Sequence, residues 1–396
     1  MNLLTRLLLT AFMTLGISAA VSAAVDSREF VKADSFQKSG DASWFSGVKV
    51  AAFPFDEMIY SWAIKVPEGE GFRIYLRVHF EDQTASPWLY AGFWGSVHPF
   101  IPPPDAPIDV DTKLPKRAQP TFDFGKLAYD QLLLTKKATA WEFRIDSEGA
   151  TPLSAVPALH VITTDNKPTP EIAAKFADPK SSDPIATSKI FDLPLRKQFD
   201  SKGVRTPDRC QSAAVSTAMQ FFGTAIKLED VIAWTNDPEY NFPGVWPRTI
   251  GAAQQFGFEA YIDRFRDWGE VKKALGENKV ILCSITMPIT GKYIDPPYDH
   301  IGGHIVALNG ITDDGRLVIT DSYLPKNDEG YQCQWKREDF EQIWIKNKGG
   351  VGMVVCPPKE FEPKYMTSAL PEYPKGRAPV RAAEKAKEAA AAAAAP

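Results

Sequence analysis

The sequence predicts an α+β protein in two parts. An all-β sandwich is expected over residues 25–165. Helices packed on an antiparallel sheet are expected over residues 189–357. Three observations carry this expectation. The first part holds strand-like runs with no helical run between them. The second part has most of its helical runs first and its strand-like runs later. Within it, Asp313-Asp314-Gly315 supplies a tight turn that makes two strands antiparallel neighbours.

In the first part, Phe72, Ile74, Leu76, Val78 and Phe80 alternate with Arg73, Tyr75, Arg77, His79 and Glu81. Period two is the mark of a half-buried strand. Further strands are expected at 48–53, 58–66, 88–94, 131–135, 140–145 and 159–163. The proline-rich stretch 99–107 would lie outside the sandwich. Trp44, Trp62, Trp88 and Trp94 could stack on sugars, but packing in the sandwich core is the expected use of them. Residues 166–188 are polar and turn-forming and read as a linker.

In the second part, helices are expected at 210–222, 228–235, 248–256, 268–275 and 337–344. Asp267 followed by Glu270 resembles a capping pair for the fourth. The helix at 210–222 is apolar nearly all round. Ala214, Ala218 and Phe221 lie on one side, and Val215, Met219 and Phe222 on another. Such a helix belongs in an interior. Strands are expected at 279–285, 304–311, 316–320 and 350–356. Residues 358–396 are proline-rich, then Ala/Lys/Glu-rich, with no face to bury, and are expected to be disordered.

Residues 1–23 read as a secretory signal peptide. Arg6 precedes a mostly apolar run, and Val21-Ser22-Ala23 offers compact residues for cleavage. The apolar core is shorter than the roughly 20 residues a membrane span needs. A cleaved leader implies a secreted or periplasmic protein with no stable membrane insertion. The net charge is -4, and removing Arg6 with the leader makes it -5. This mild acidity argues against nucleic acid as a main partner. The 4 cysteines, Cys210, Cys283, Cys333 and Cys356, are too few for a disulfide scaffold. If Cys210 stays free, one pair and one buried thiol could form from the rest, with connectivity open.

Cys210 opens the interior helix. A helix N-terminus and a nearby imidazolium both favour a thiolate, the form that attacks carbonyls. His304 follows Gly302-Gly303 and starts a strand-like run. Those glycines would allow close backbone approach. Asp321 ends the next strand-like run and could orient the imidazole. Asp313 and Asp314 are explained by the hairpin turn. Gln198 follows a strand-like run at 190–195. Its amide, with the Cys210 N–H, would make an oxyanion hole. Asp299, His300 and His304 could be read as a metal cluster, but the glycines and the following strand break the helical spacing. No metal or cofactor is expected.

Residues 189–357 resemble the papain-fold cysteine peptidase family thirty-nine, the bacteriocin leader-peptide peptidases, and especially its exported bacterial relatives. The similarity runs through Asp192-Leu-Pro-Leu-Arg-Lys-Gln198-Phe199 and Arg209-Cys210-Gln-Ser-Ala-Ala-Val-Ser-Thr-Ala-Met219. It continues in Gly303-His304-Ile-Val-Ala-Leu-Asn-Gly310, Asp314-Gly315-Arg-Leu-Val-Ile-Thr-Asp321 and the closing segment 331–344. The β part, with Ser61-Trp62 and Trp88-Leu-Tyr-Ala-Gly-Phe-Trp94, is similar to the sandwich preceding the peptidase domain in those relatives. The resemblance implies a papain-like domain with Cys210, His304, Asp321 and Gln198 as its catalytic set. It implies hydrolysis of peptide or isopeptide bonds, with a peptide or peptidoglycan-type substrate as partner. The chain departs from the family pattern around the cysteine and the acid. Arg209 stands where Trp is frequent, Gln211-Ser212 where Ser-Pro is, and Thr320-Asp321-Ser322 where Asn-Asp-Pro is. The alternative is a catalytically silent papain-fold module that binds peptide or cell-wall glycan.

Overall fold

Alternating apolar side chains build two antiparallel sheets, one after the other along the chain. The computed structural model describes residues 24–96, 117–149, 151–176, 186–187, 189–198, 209–240, 242, 244–288, 301–323 and 330–366. Residues 1–23, the stretch 99–107, Asp299, His300 and the tail beyond 366 lie outside the described residues, as do parts of the linker.

The N-terminal sheet comprises β1 (Val25–Val31), β2 (Gln37–Ser39), β3 (Ser43–Phe45), β4 (Lys49–Ala63), β5 (Glu70–His79), β6 (Leu89–Gly95), β7 (Thr121–Phe122), β8 (Gly125–Ala128), β9 (Gln131–Gly149) and β10 (Ala158–Asp165). The expected runs 48–53 and 58–66 are one strand, β4. The runs 131–135 and 140–145 are likewise one strand, β9. Pro54, which lacks an N–H, interrupts the β4–β9 ladder, and the register shifts on either side of Phe55. The chain bulges there instead of ending.

Among the described residues these strands form one continuous hydrogen-bonded sheet of ten strands, not two separate sheets, because β9 pairs with both β4 and β5. The sheet folds over a single core. Trp62 of β4 meets Phe72 of β5 and Trp94 of β6 at ring-centroid distances of 6.1 and 6.0 Å. Trp62 and Trp94 are buried, whereas Trp44 and Trp88 are only partly so. Fully burying an aromatic of this kind contributes about 1.5–3 kcal/mol.

After a short helix, α1 (Pro170–Phe176), come α2 (Cys210–Phe221), α3 (Leu228–Thr235), α4 (Trp246–Gln255), β11 (Ala260–Arg264), α5 (Trp268–Gly276), β12 (Val280–Met287), β13 (Ile301–Ile311), β14 (Leu317–Thr320), β15 (Cys333–Trp335), α6 (Arg337–Phe340) and β16 (Val351–Val355). Asp267 caps α5, accepting from the N–H groups of Gly269 and Glu270. α6 passes into a wider π-type turn at Glu341–Lys346, so the expected helix 337–344 is two pieces. The second sheet has the order β11-β16-β12-β13-β14-β15 and is antiparallel throughout. Helix α2 lies against β13 with all but its two end-turn positions Cys210 and Gln220 buried, as its all-round apolar surface requires.

The run at 190–195 is extended but is not a sheet strand. It makes a bridge between Phe191 and Tyr365 and is laced to β13 by Phe191 N–H donating to Asn309 O. The Asn309 amide returns a bond to Phe191 O at 3.0 Å.

Helix α4 seats the second sheet on the first. A Cβ at Gly251 would lie 2.8 Å from Trp62 Nε1 and 2.9 Å from the Trp94 ring, so glycine lets the helix touch both indoles. The Gln255 amide donates to Val66 O and accepts from Val66 N–H. The Arg248 guanidinium donates to Phe93 O at 2.6 Å. Around the rim, Arg266 pairs with Asp26, Arg28 with Asp263 and buried Arg264 with Glu57.

Candidate active site

Cys210 is the first residue of α2. Arg209 stands at the cap position with no side-chain bond to the first turn. The N–H groups there, with the positive end of the helix dipole, remain as donors beside the sulfur. The thiol is partly exposed.

His304 lies on β13, opposite Ile285 of β12, and is 3% exposed. Asp321 directly follows β14, the next strand over, and is fully buried. Antiparallel pairing of β13 with β14 brings the two together. His304 Nε2 lies 2.7 Å from Asp321 Oδ1. That same oxygen accepts from Tyr323 N–H at 2.9 Å. His304 also hydrogen-bonds the Cys210 thiol. With Nε2 taken by Asp321, that bond falls to Nδ1.

Burial works against a charged imidazole here. The Asp321 charge and hydrogen bond, then the bond and charge of Cys210, outweigh burial and raise the His304 pKa to about 10. The imidazole therefore keeps its proton through neutral pH. The ring of Tyr323 packs edge-on to it, centroids 5.8 Å apart.

Gln198 comes just after the extended run 190–195 that is laced to β13. Its N–H donates to Ser322 O at 3.2 Å, and the Ser322 hydroxyl donates to Gln198 Oε1 at 3.0 Å. Fixing the carbonyl end in this way presents the amide NH2 on the opposite side. Gln198 is thus held against Ser322, the residue after Asp321.

Gly302 and Gly303 are not squeezed. A Cβ on either would meet nothing within 4 Å. Instead of allowing close backbone approach, they line a cavity of about 380 Å3 that reaches Cys210 and His304. The cavity also involves Gln211, Trp246 and Lys348, and on its far wall the β8–β9 turn Tyr129-Asp130-Gln131. Sequence reasoning missed that wall, because a Tyr-Asp-Gln turn carries no signal of proximity to a thiol 80 residues downstream. Asp130 is 7% exposed, and its Oδ2 accepts the Trp246 N–H at 2.7 Å. Burial raises its pKa to about 7 against the pull of that bond and of the Lys348 charge.

Among the described residues no disulfide joins Cys210, Cys283, Cys333 or Cys356. Burial pushes the Cys283 thiol far up and the Cys356 thiol to about 11.

A thiol at a helix start, an imidazole and a carboxylate on adjacent strands form the arrangement thiol hydrolases use. Residues 190–351 match the sequence model of the Peptidase C39-like family, and residues 14–101 match that of the peptidase C39 N-terminal domain. Residues 190–351 thus carry a domain of the C39-like peptidase family. Among solved structures, one described as a C39-like peptidase from Bacillus anthracis is 14% identical with a TM-score of 0.33, covering 43% of this chain and 98% of that one. A double-glycine motif protease from an AMS/PCAT transporter, solved with the leader peptide, is 16% identical with a TM-score of 0.29, covering 44% of this chain and 97% of that one. None of the curated proteins compared matches the chain.

Proposed function

We propose that this protein is an exported cysteine peptidase of papain-like architecture, cleaving peptide or isopeptide bonds with Cys210 as nucleophile. The observation that carries the proposal is His304, bonded at once to Asp321 and to the Cys210 thiol and kept protonated by them. Family membership supports the peptidase chemistry. The leader-like residues 1–23 support export to the periplasm or beyond.

In this mechanism Asp321 holds the imidazole by Nε2 and stabilises its charge, leaving Nδ1–H toward the sulfur. The thiolate attacks the substrate carbonyl carbon, forming the C–S bond. The oxyanion takes the Cys210 N–H and the Gln198 amide as donors. His304 then passes its proton to the leaving nitrogen as the C–N bond breaks. Water then attacks the thioester carbonyl with His304 taking its proton; the C–S bond breaks, the carboxylic acid product leaves, and the thiolate beside protonated His304 is restored.

The test is turnover of a quenched-fluorescence peptide pool. Cys210→Ala should abolish cleavage with the fold intact. Cleavage retained by that variant would overturn the proposal. Binding without turnover, equal in the wild type and the variant, would instead identify a silent binding module.

A further inference from the structure

The cavity beside Cys210 has two polar groups that the mechanism does not use. Gln211, next to the nucleophile, is 2% exposed, lines the cavity and leaves its amide oxygen buried with no hydrogen-bond partner among the described residues. An unpaired buried acceptor costs about 1–3 kcal/mol unless something donates to it. Across the cavity, the Asp130 carboxyl accepts the Trp246 N–H through one oxygen and is also reached by its own backbone N–H, which together use about half of the acceptor sites a carboxylate has. Lys348 lines the same cavity. Its charge is felt by Asp130, yet the two stand beyond ion-pair distance, so Lys348 does not close the carboxyl off.

The turn that carries Asp130 is held rigidly. Tyr129 sits at a φ of 60°, a left-handed conformation that costs a non-glycine residue about 1–3 kcal/mol. Its ring stacks on Phe242 with centroids 4.8 Å apart. Strain of this kind persists only where the surroundings fix it, and here it fixes an acid at the cleft wall.

We propose that the β8–β9 turn of the N-terminal sheet is a specificity element of the peptidase: Asp130 and Gln211 receive an amino-bearing side chain, of the lysine class, beside the scissile bond. Such a group offers N–H donors to the orphaned Gln211 oxygen and a charge to the Asp130 carboxylate, which an apolar side chain cannot. The N-terminal sheet then serves the reaction directly, not as a detached binding unit. The inference rests on Cys210 being the nucleophile.

The test uses epoxysuccinyl peptides, which alkylate an activated thiol without a known substrate. Lysine, norleucine or glutamate is placed at each of two positions, extending in either direction from the warhead. Labelling of Cys210 in the full chain is followed by peptide mass spectrometry. Lysine should outpace norleucine about tenfold or more at one position. Asp130→Asn, which keeps an acceptor for the Trp246 N–H, should bring that ratio toward one. Gln211→Met, which leaves the turn untouched, should lower it about threefold or more. Equal labelling by lysine and norleucine probes, or an unchanged ratio in both variants, overturns the inference while leaving Cys210 as nucleophile. Preference for glutamate also overturns it and assigns recognition to Lys348. No labelling by any member overturns both this inference and the mechanism beneath it.

Discussion

Replacing Asp321 with asparagine removes one charge and little else. Asparagine keeps an oxygen for the His304 Nε2–H and the Tyr323 N–H. In the wild type Asp321 Oδ2 is buried without a partner among the described residues, so the variant's NH2 group takes over that site. Burial alone would lower the His304 pKa, and Asp321 is foremost among the groups that raise it from 6.5 to about 10. That rise corresponds to about 5 kcal/mol of preference for the imidazolium, of which Asp321 supplies the larger share. An opposite charge at contact distance moves a pKa by about 1–3 pH units, so the His304 midpoint should fall by that much in Asp321→Asn. Carbon-labelled histidine NMR reads the midpoint directly, with the His304 signal assigned by its loss in His304→Ala.

Stability should follow with a definite sign. The folded His304 pKa lies above its unfolded value of 6.5. The stability this contributes is therefore fully present below pH 6.5 and lost as pH rises through about 10. The wild type's margin over Asp321→Asn should accordingly shrink across that window. A midpoint unchanged to within about half a pH unit would refute the argument that the carboxylate charge holds the proton.

Gln198→Ala should slow turnover by roughly 10²–10³, measured as kcat, since it removes one oxyanion donor. Gly303→Leu should fold normally, because nothing lies within 4 Å of the added carbon. It should still lose most of its kcat/KM, as the side chain would fill the cavity beside Cys210. Gly251→Ala should cost about 1–3 kcal/mol in urea unfolding, because the new methyl group overpacks the Trp62–Trp94 contact. Cys283 and Cys356 should resist alkylation at pH 8 until the protein unfolds, since burial keeps both as thiols.

What could be read along the chain, and what could not, follows from where each residue's partners lie. Strand β5 announces itself because one of its faces is apolar at every second residue. Helix α2 does so because nearly every residue in it is apolar or small. Cys210 and His304 stand out because one opens an apolar helix and the other starts a strand-like run after two glycines. The structure brings His304 to both Asp321 and Cys210, and holds Gln198 beside Ser322.

The missed elements are those whose charges are answered from far away. Strand β1 carries Asp26, Arg28 and Glu29 and shows no regular apolar alternation along its sequence. Asp26 finds Arg266, and Arg28 finds Asp263, more than 230 residues along. Strand β11 ends in Arg264, buried at 2% against Glu57 of the other sheet. Joining two runs into β4 required knowing that the partner strand continues past Pro54. Asp130 and Gln211 gain meaning only when the two sheets meet across the cavity.

The central claim is that Cys210 and His304 act as one unit, and site-resolved alkylation tests it most directly. Iodoacetamide reactivity at Cys210 should be compared in the wild type and His304→Ala across pH 5–9, read by peptide mass spectrometry. Cys333, which is also partly exposed, serves as the internal reference. The account predicts that Cys210 reacts well ahead of Cys333 at pH 6, and that His304→Ala slows it by about tenfold or more at that pH. Matching rates for Cys210 and Cys333, or a Cys210 profile indifferent to His304, would contradict it.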